Sequence, residues 1–208
     1  MKKDYRCTEY DIFPSHKGIE ERKKALLNEV SLEDDDNHYS YVSKRKSKAN
    51  KLFRDCYYNK CVYCGVPEEI NSRRLFEVDH YICKTTIKEN IKINHIRNLV
   101  NACYECNRKK TGVEIPKVYL NLLNPDINID KVFFRDSNFK IQIKPVLAKN
   151  KNITSFYNKL CLSGELRRLD YLLMNLIGLQ KKIKSQEIID KLAHCIQLLM
   201  EKRNQYIE

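Results

Sequence analysis

Cys61-Val62-Tyr63-Cys64, Leu75-Phe76-Glu77-Val78-Asp79-His80, Asn98-Leu99-Val100-Asn101-Ala102 and Cys103-Tyr104-Glu105-Cys106-Asn107, read in that order, decide the fold. The first and last are C-x2-C turns. Each places two thiolates at the spacing of one tetrahedral zinc, and two such turns close a four-cysteine site with no open position for water. A structural zinc on Cys61, Cys64, Cys103 and Cys106 is therefore expected, in preference to independent buried cysteines. A redox role would need a thioredoxin-like βαβ context that the sequence lacks. The 38 residues between the pairs exceed ribbon spacing, so something folds inside the insertion. Large apolar and polar residues alternate over Leu75–His80, which predicts a strand, and Asn98–Ala102 predicts a second. Cys103 to Thr111 predicts a helix that stops at Gly112. The order is strand, loop, strand, helix.

Working outward, Ile19, Leu26, Leu27 and Val30 predict a short amphipathic helix entered at Pro14-Ser15. The acidic run Glu33-Asp34-Asp35-Asp36 follows as a loop. Val42, Ala49, Leu52, Phe53 and Cys56 then recur at helical spacing, with Lys44, Arg45, Lys46, Lys48, Lys51 and Arg54 between them, predicting one basic helix that leads into Cys61. Beyond the centre, Val132–Phe134 and Phe139–Ile143 flank Arg135-Asp136-Ser137-Asn138 as a small hairpin. Two helical stripes close the chain: Leu166, Leu169, Leu172, Leu173 and Leu176, then Ile188, Ile189, Leu192, Cys195, Ile196 and Leu199, with Ser163 and Ser185 as caps. The expected class is α+β, divided into an N-terminal helical segment (1–60), a zinc-knuckle core (61–115) and a C-terminal extension with the small hairpin and helices (116–208).

Of the cysteines outside the pairs, Cys56 and Cys195 lie on apolar stripes and read as small buried hydrophobes. Cys83 is near the Asp-His pair, but nothing beside it argues for a nucleophile; Cys7 and Cys161 are also unpaired. Nine cysteines without a secretory signal point to a reducing, cytoplasmic setting. The longest apolar run, Tyr171–Leu179, is about half of a membrane span. Charge is uneven: −3 over residues 1–40, +8 over 41–115 and +7 over 116–208, for +12 in all. A basic centre and basic C-terminal half suggest a polyanionic partner, and nucleic acid fits better than a membrane in a chain with no lipid-anchoring motif. A biased source composition is the bland alternative explanation of the charge.

The Asp79-His80 pair, Asn98 and Asn107, in register with two zinc knuckles, resemble the HNH endonuclease family and its ββα-metal fold over residues 61–112. That resemblance implies catalytic roles for His80, Asp79, Asn98 and Asn107. His80 would be the general base that takes a proton from the attacking water. Asp79 and Asn107 would hold a divalent ion, Mg²⁺ or Mn²⁺, and Asn98 would brace the loop that aims the histidine. Glu77 is left between an orienting role and plain exposure. Oxygen donors suit magnesium or manganese rather than zinc, and an imidazole with an ordinary pKa of about 6.5 accepts a proton near neutrality. Arg108, Lys109 and Lys110 are candidates for phosphate contacts or for ordinary helix-end cations. The family's usual proline shortly after the histidine is absent; Cys83-Lys84 stand there. The later segments, Tyr119–Pro125, the Phe133/Phe139 hairpin and Leu160–Arg168, resemble HNH proteins of Septu- and retron-type antiphage systems. That likeness implies an ATPase partner docked on the C-terminal helices. A toxin-like RNase and a non-catalytic zinc-stabilised nucleic-acid-binding protein are the competing readings.

Overall fold

The structure is a computed structural model that describes residues 4–11, 16–83 and 92–206. The Pro14-Ser15 helix entry and Lys84 lie outside the described residues. Strand β1 (Phe76–His80) pairs antiparallel with β2 (Leu99–Cys103), placing Phe76 opposite Cys103, Val78 opposite Asn101 and His80 opposite Leu99. Helix α4 (Tyr104–Lys110) leaves β2 without a loop, and Gly112 follows it at φ 73°, a left-handed position that suits glycine. The expected order of strand, loop, strand and helix is found. Each strand begins one residue later than its pattern suggested. The Ser72 hydroxyl accepts from the Arg74 amide and starts a turn that takes up Leu75, and Asn98 ends a similar turn at Ile96–Asn98.

Side chains alternate along a strand, so β1 sends Glu77 and Asp79 to one face. Helix α4 lies over that face. Asn107 and Lys110, three apart and hence neighbours on the helix surface, meet Glu77 and Asp79 respectively. The first knuckle is pinned beside β2 because the Val62 amide donates to the Asn101 carbonyl at 2.9 Å. The Asn101 side chain in turn donates to the Lys60 carbonyl at 3.0 Å. All five residues of β2 are buried.

Three helices precede this unit: α1 (Ile19–Glu29), α2 (Tyr39–Val42) and α3 (Lys48–Cys56). The single basic helix expected from Val42 to Cys56 is thus two. The chain breaks at Ser43–Ser47, where Lys46 adopts φ 70° and the Ser47 hydroxyl caps α3 by accepting from the Asn50 amide. Ala49, Phe53 and Cys56 form the buried stripe of α3, and burial pushes the Cys56 thiol up to about 11. Lys23 of α1 is buried with its ammonium on the Leu99 carbonyl (2.7 Å) and Asp126 (2.5 Å), a bridge from α1 across β2 to the C-terminal segment.

After α5 (Lys117–Leu120) come the hairpin β3 (Phe133–Arg135) and β4 (Ile141–Ile143), then α6 (Lys151–Lys159), α7 (Glu165–Gln180) and α8 (Gln186–Gln205). An aromatic cluster fastens this half to the zinc knuckles: Phe133 stacks on Phe156 and meets Tyr5 edge-on, while Tyr63 of the first knuckle meets Phe156 edge-on. Gly164 and Ser185 occupy the N-cap positions of α7 and α8, and neither helix has a side-chain cap bond, so the Ser163 and Ser185 caps are not formed. Helix α8 packs on α7, tied by an Arg203–Asp170 ion pair at 2.6 Å, and has no buried residue. Cys195 is therefore exposed rather than a buried hydrophobe. No helix among the described residues is long and apolar enough to cross a membrane.

Candidate active site and metal centre

Cys61, Cys64, Cys103 and Cys106 are all buried, and their sulfurs lie within 4.8 Å of one another, with Cys64 and Cys103 3.9 Å apart. Four thiolates at the usual Zn–S bond length of about 2.3 Å sit about 3.8 Å apart in a tetrahedron, so the cluster has the size of a zinc site. The turn that presents the first pair closes through the Gly65 amide on the Cys61 carbonyl, with Gly65 at φ 83°. A Cβ there would come within 2.5 Å of the Arg6 carbonyl oxygen, so glycine is needed for both conformation and space.

One further residue bears on the metal. Arg167 of α7 is 2% exposed, and its Nε and Nη2 have no hydrogen-bond partner among the described residues. Burial alone would push this guanidinium toward its neutral form, yet it is held well above its ordinary range by Cys106, Cys64 and Cys103, with Asp170 adding to them. A buried guanidinium with two nitrogens lacking a hydrogen-bond partner among the described residues, near three of the four cysteines, complements the charge of a zinc tetrathiolate, which carries a net charge of −2. The donor set and the buried guanidinium both fit zinc. Sequence reasoning missed Arg167 because it sits inside a leucine stripe, where a charged residue reads as the exposed flank of the helix.

On the other side of the sheet, His80 ends β1. Its Nε2 lies 3.0 Å from Oδ1 of Asn94, and its ring lies 4.8 Å from that of Tyr39, tilted by 31°. Asn98 braces the loop between the strands: its Oδ1 accepts from the Ile82 amide at 2.8 Å, and its Nδ2 donates to the Ile82 and Ile93 carbonyls at 3.1 and 3.0 Å. Neither Tyr39 nor Asn94 carries a pattern visible in sequence; Tyr39 opens the short helix α2 and Asn94 lies in a turn.

Asp79 is buried. Its Oδ2 accepts from the Tyr63 hydroxyl at 2.8 Å and its Oδ1 is 3.2 Å from the Lys110 ammonium. Burial raises the Asp79 carboxyl above its ordinary range, against the opposing pull of Lys110 and Tyr63. Asn107 donates from Nδ2 to Oε2 of Glu77 at 2.6 Å, and Arg108 donates to the other Glu77 oxygen at 3.1 Å. Asn107 thus rests on Glu77, and Glu77 is engaged rather than merely exposed. The basic triplet divides. Arg108 is exposed, whereas Lys110 is 4% exposed and turned inward, its ammonium also donating to the His80 carbonyl at 2.9 Å. A buried ammonium that already serves Asp79 and a carbonyl is not placed to meet a phosphate, so the expected contact of Lys110 is replaced by an internal one. A groove of about 350 Å³ is lined by Tyr39, Arg45, Arg54, Glu77, Asn107 and Arg108; Asp79 and His80 are not part of its lining.

The model of the HNH endonuclease family matches residues 61–112. Over this stretch, a quarter of the chain, the protein is similar to an HNH endonuclease domain. The match spans both cysteine pairs, both strands and α4, and leaves α1–α3 and everything from α5 onward outside it. Comparison with curated proteins and with solved structures gave no match. In the matched stretch, the cysteine cluster and the Asp79-His80 pair occupy opposite ends of β1: Phe76 pairs with Cys103 at one end and His80 with Leu99 at the other. The sheet therefore spaces the cysteine cluster from the histidine by the length of one strand.

Proposed function

We propose that the protein is a magnesium- or manganese-dependent endonuclease that hydrolyses phosphodiester bonds in nucleic acid. The observation that carries this reading is the match to the HNH family, with His80 at a strand end against the ring of Tyr39, which lines a groove together with Arg45 and Arg108. His80 is the general base and holds the proton taken from water. Asp79 and Asn107 hold the divalent ion, and Glu77 orients Asn107: an amide whose nitrogen is bound to a carboxylate must present its oxygen the other way. These donors are hard oxygens, Asp79 on β1 and Asn107 on the helix that lies over it, which suits magnesium or manganese. The ion would share Asp79 with Tyr63 and displace the Lys110 ammonium from it. The ion, when bound, supplies neutralisation of the phosphate and of the leaving 3′-oxygen. Arg45 and Arg108 hold the strand in register through its phosphates. Zinc on the four cysteines is structural.

The test is cleavage of plasmid, single-stranded DNA and total tRNA by purified protein with magnesium or with EDTA, set beside His80→Ala. Removing a general base costs about 10²–10⁴-fold, so His80→Ala should lose at least that while keeping its fold and zinc. Equal cleavage by the variant would overturn the mechanism. Cleavage of tRNA alone would identify the RNase reading, and binding without cleavage the non-catalytic one.

We also propose that the nuclease works in the cytoplasm as an antiphage effector, with an ATPase partner docked on the α7–α8 hairpin. The supporting observation is that α8 has no buried residue and leaves Ile188 and Leu198 45% and 51% exposed. Leu198→Lys should leave a soluble, active nuclease and abolish co-purification of the ATPase. Retention of the partner would refute the docking face.

A further inference from the structure

The hydrogen bond from His80 reaches a residue that has no place in the H-N-N pattern. Asn94 presents Oδ1 to Nε2 of His80 at 3.0 Å. An amide oxygen only accepts, so with Oδ1 of Asn94 in this position Nε2 is the nitrogen that carries the hydrogen. A neutral imidazole has one N–H, and the lone pair is then left on Nδ1. Two contacts hold this arrangement. The Asn94 carbonyl accepts from the Tyr39 amide at 3.1 Å, and the Tyr39 ring lies against the imidazole, so a single residue of α2 grips both partners. On the other side, Asn98 donates to the carbonyl of Ile93, the residue before Asn94. The chain of contacts runs from Asn98 through the 93–94 backbone to the Asn94 amide and then to His80.

We infer that Asn94 is a positioning residue that fixes His80 as the Nε2–H tautomer, with Nδ1 as the basic nitrogen, and that Tyr39 holds the pair in place. This deepens the nuclease reading and rests on it for the chemistry, although the tautomer itself does not depend on cleavage. It also gives α2, which lies outside the residues matched by the HNH family, a part in the active site. Without Asn94 the ring can carry its hydrogen on either nitrogen, and only one of these forms leaves the lone pair on Nδ1.

The experiment has two readouts on zinc-loaded, full-length protein. The first is ¹⁵N NMR of the imidazole nitrogens without nucleic acid, at alkaline pH where the ring is neutral. Wild type should show His80 protonated at Nε2. Asn94→Leu should give a mixture, while Asn94→Asp, which retains an acceptor, should restore the Nε2–H form. The second is cleavage: Asn94→Leu should lower kcat by about 10–100-fold, the usual cost of losing a residue that orients an active group, with KM unchanged and with recovery in Asn94→Asp. His80 protonated at Nδ1 in the wild type would overturn the inference, as would an unchanged tautomer in Asn94→Leu. Should Asn94→Leu fail to fold, the wild-type spectrum and Asn94→Asp still decide it. An Nε2–H histidine in a wild-type protein that cleaves nothing would support the tautomer assignment while removing the nuclease reading.

Discussion

Replacing Arg167 with methionine removes one positive charge from a fully enclosed place and leaves a side chain of similar length. Arg167 is 2% exposed and lies against Cys106, Cys64 and Cys103, with Nε and Nη2 unpartnered among the described residues. With zinc bound, the cluster's charge of −2 would face no guanidinium at this point. Removing one partner of a buried ion pair costs about 3–5 kcal/mol. The guanidinium's own desolvation penalty disappears with it, and Arg135, 2.8 Å from the Tyr5 carbonyl and close enough to be influenced by Cys64, still offers some positive charge. The low end, about 3 kcal/mol, is therefore expected. At about 1.4 kcal/mol per decade, that is about a 100-fold loss of zinc affinity. Competition against a colorimetric zinc chelator measures it directly, with a urea melt of the loaded protein alongside. Arg168→Met is the control: its partner is Glu165 at 2.5 Å, on a side chain about a third exposed, and an exposed pair contributes about 1 kcal/mol or less. Equal zinc affinity in Arg167→Met and wild type would refute the idea that this arginine balances the thiolates.

Other substitutions separate the metal centre from the catalytic groups. Cys103→Ser should make the protein insoluble or abolish its cooperative thermal transition, because metal binding is coupled to folding; soluble protein with one zinc per chain would contradict a four-cysteine site. Glu77→Ala frees the Asn107 amide and should cut cleavage about 10–100-fold, with partial recovery at raised magnesium; unchanged metal dependence would remove Glu77 from the site. The Asp4 carboxyl is buried, which alone would raise it, but the Arg6 guanidinium at 2.7 Å holds it far below the ordinary carboxylate range. Its contribution to stability is present above the unfolded value of about 4 and is lost as pH falls below it. The gap in unfolding free energy between wild type and Asp4→Asn, in which acid loss of zinc cancels, should therefore narrow below about pH 4; a constant gap would refute the assignment.

The centre of the fold was legible because its signals are local and chemical. The C-x2-C turns, the alternation through Phe76–His80 and glycine at 112 each state their geometry within a few residues. Asn98 and Asn107 were legible only through their register with those turns. Segments with looser constraints read less well. The break between α2 and α3 rests on a left-handed Lys46, and lysine carries no signature for that conformation. Cys195 sits on a good apolar stripe, but α8 has α7 as its neighbour and little else to bury against. Arg167 and Lys110 defy the expectation that long cations stay wet; each is buried because a buried anionic group needs it. Tyr39 and Asn94 could not be found from spacing at all, since 55 residues separate them and tertiary packing alone brings them to His80.

The clasp formed by residues 4–8 has a consequence for synthesis. The Tyr5 hydroxyl donates to the Tyr63 carbonyl at 2.5 Å, Arg6 reaches the Val62 and Pro125 carbonyls at 2.8 and 2.7 Å, and Arg135 donates to the Tyr5 carbonyl across 130 positions of sequence. The segment made earliest among these finds its last partners only after Arg135 has emerged, so it must wait without them while the intervening 130 positions are made. Contacts this distant slow folding, because loop closure precedes the reward. An excised 61–112 fragment would leave the Tyr63 and Val62 carbonyls without these partners and the knuckle without its cover, and would be a poor guide to how the whole chain acquires its metal.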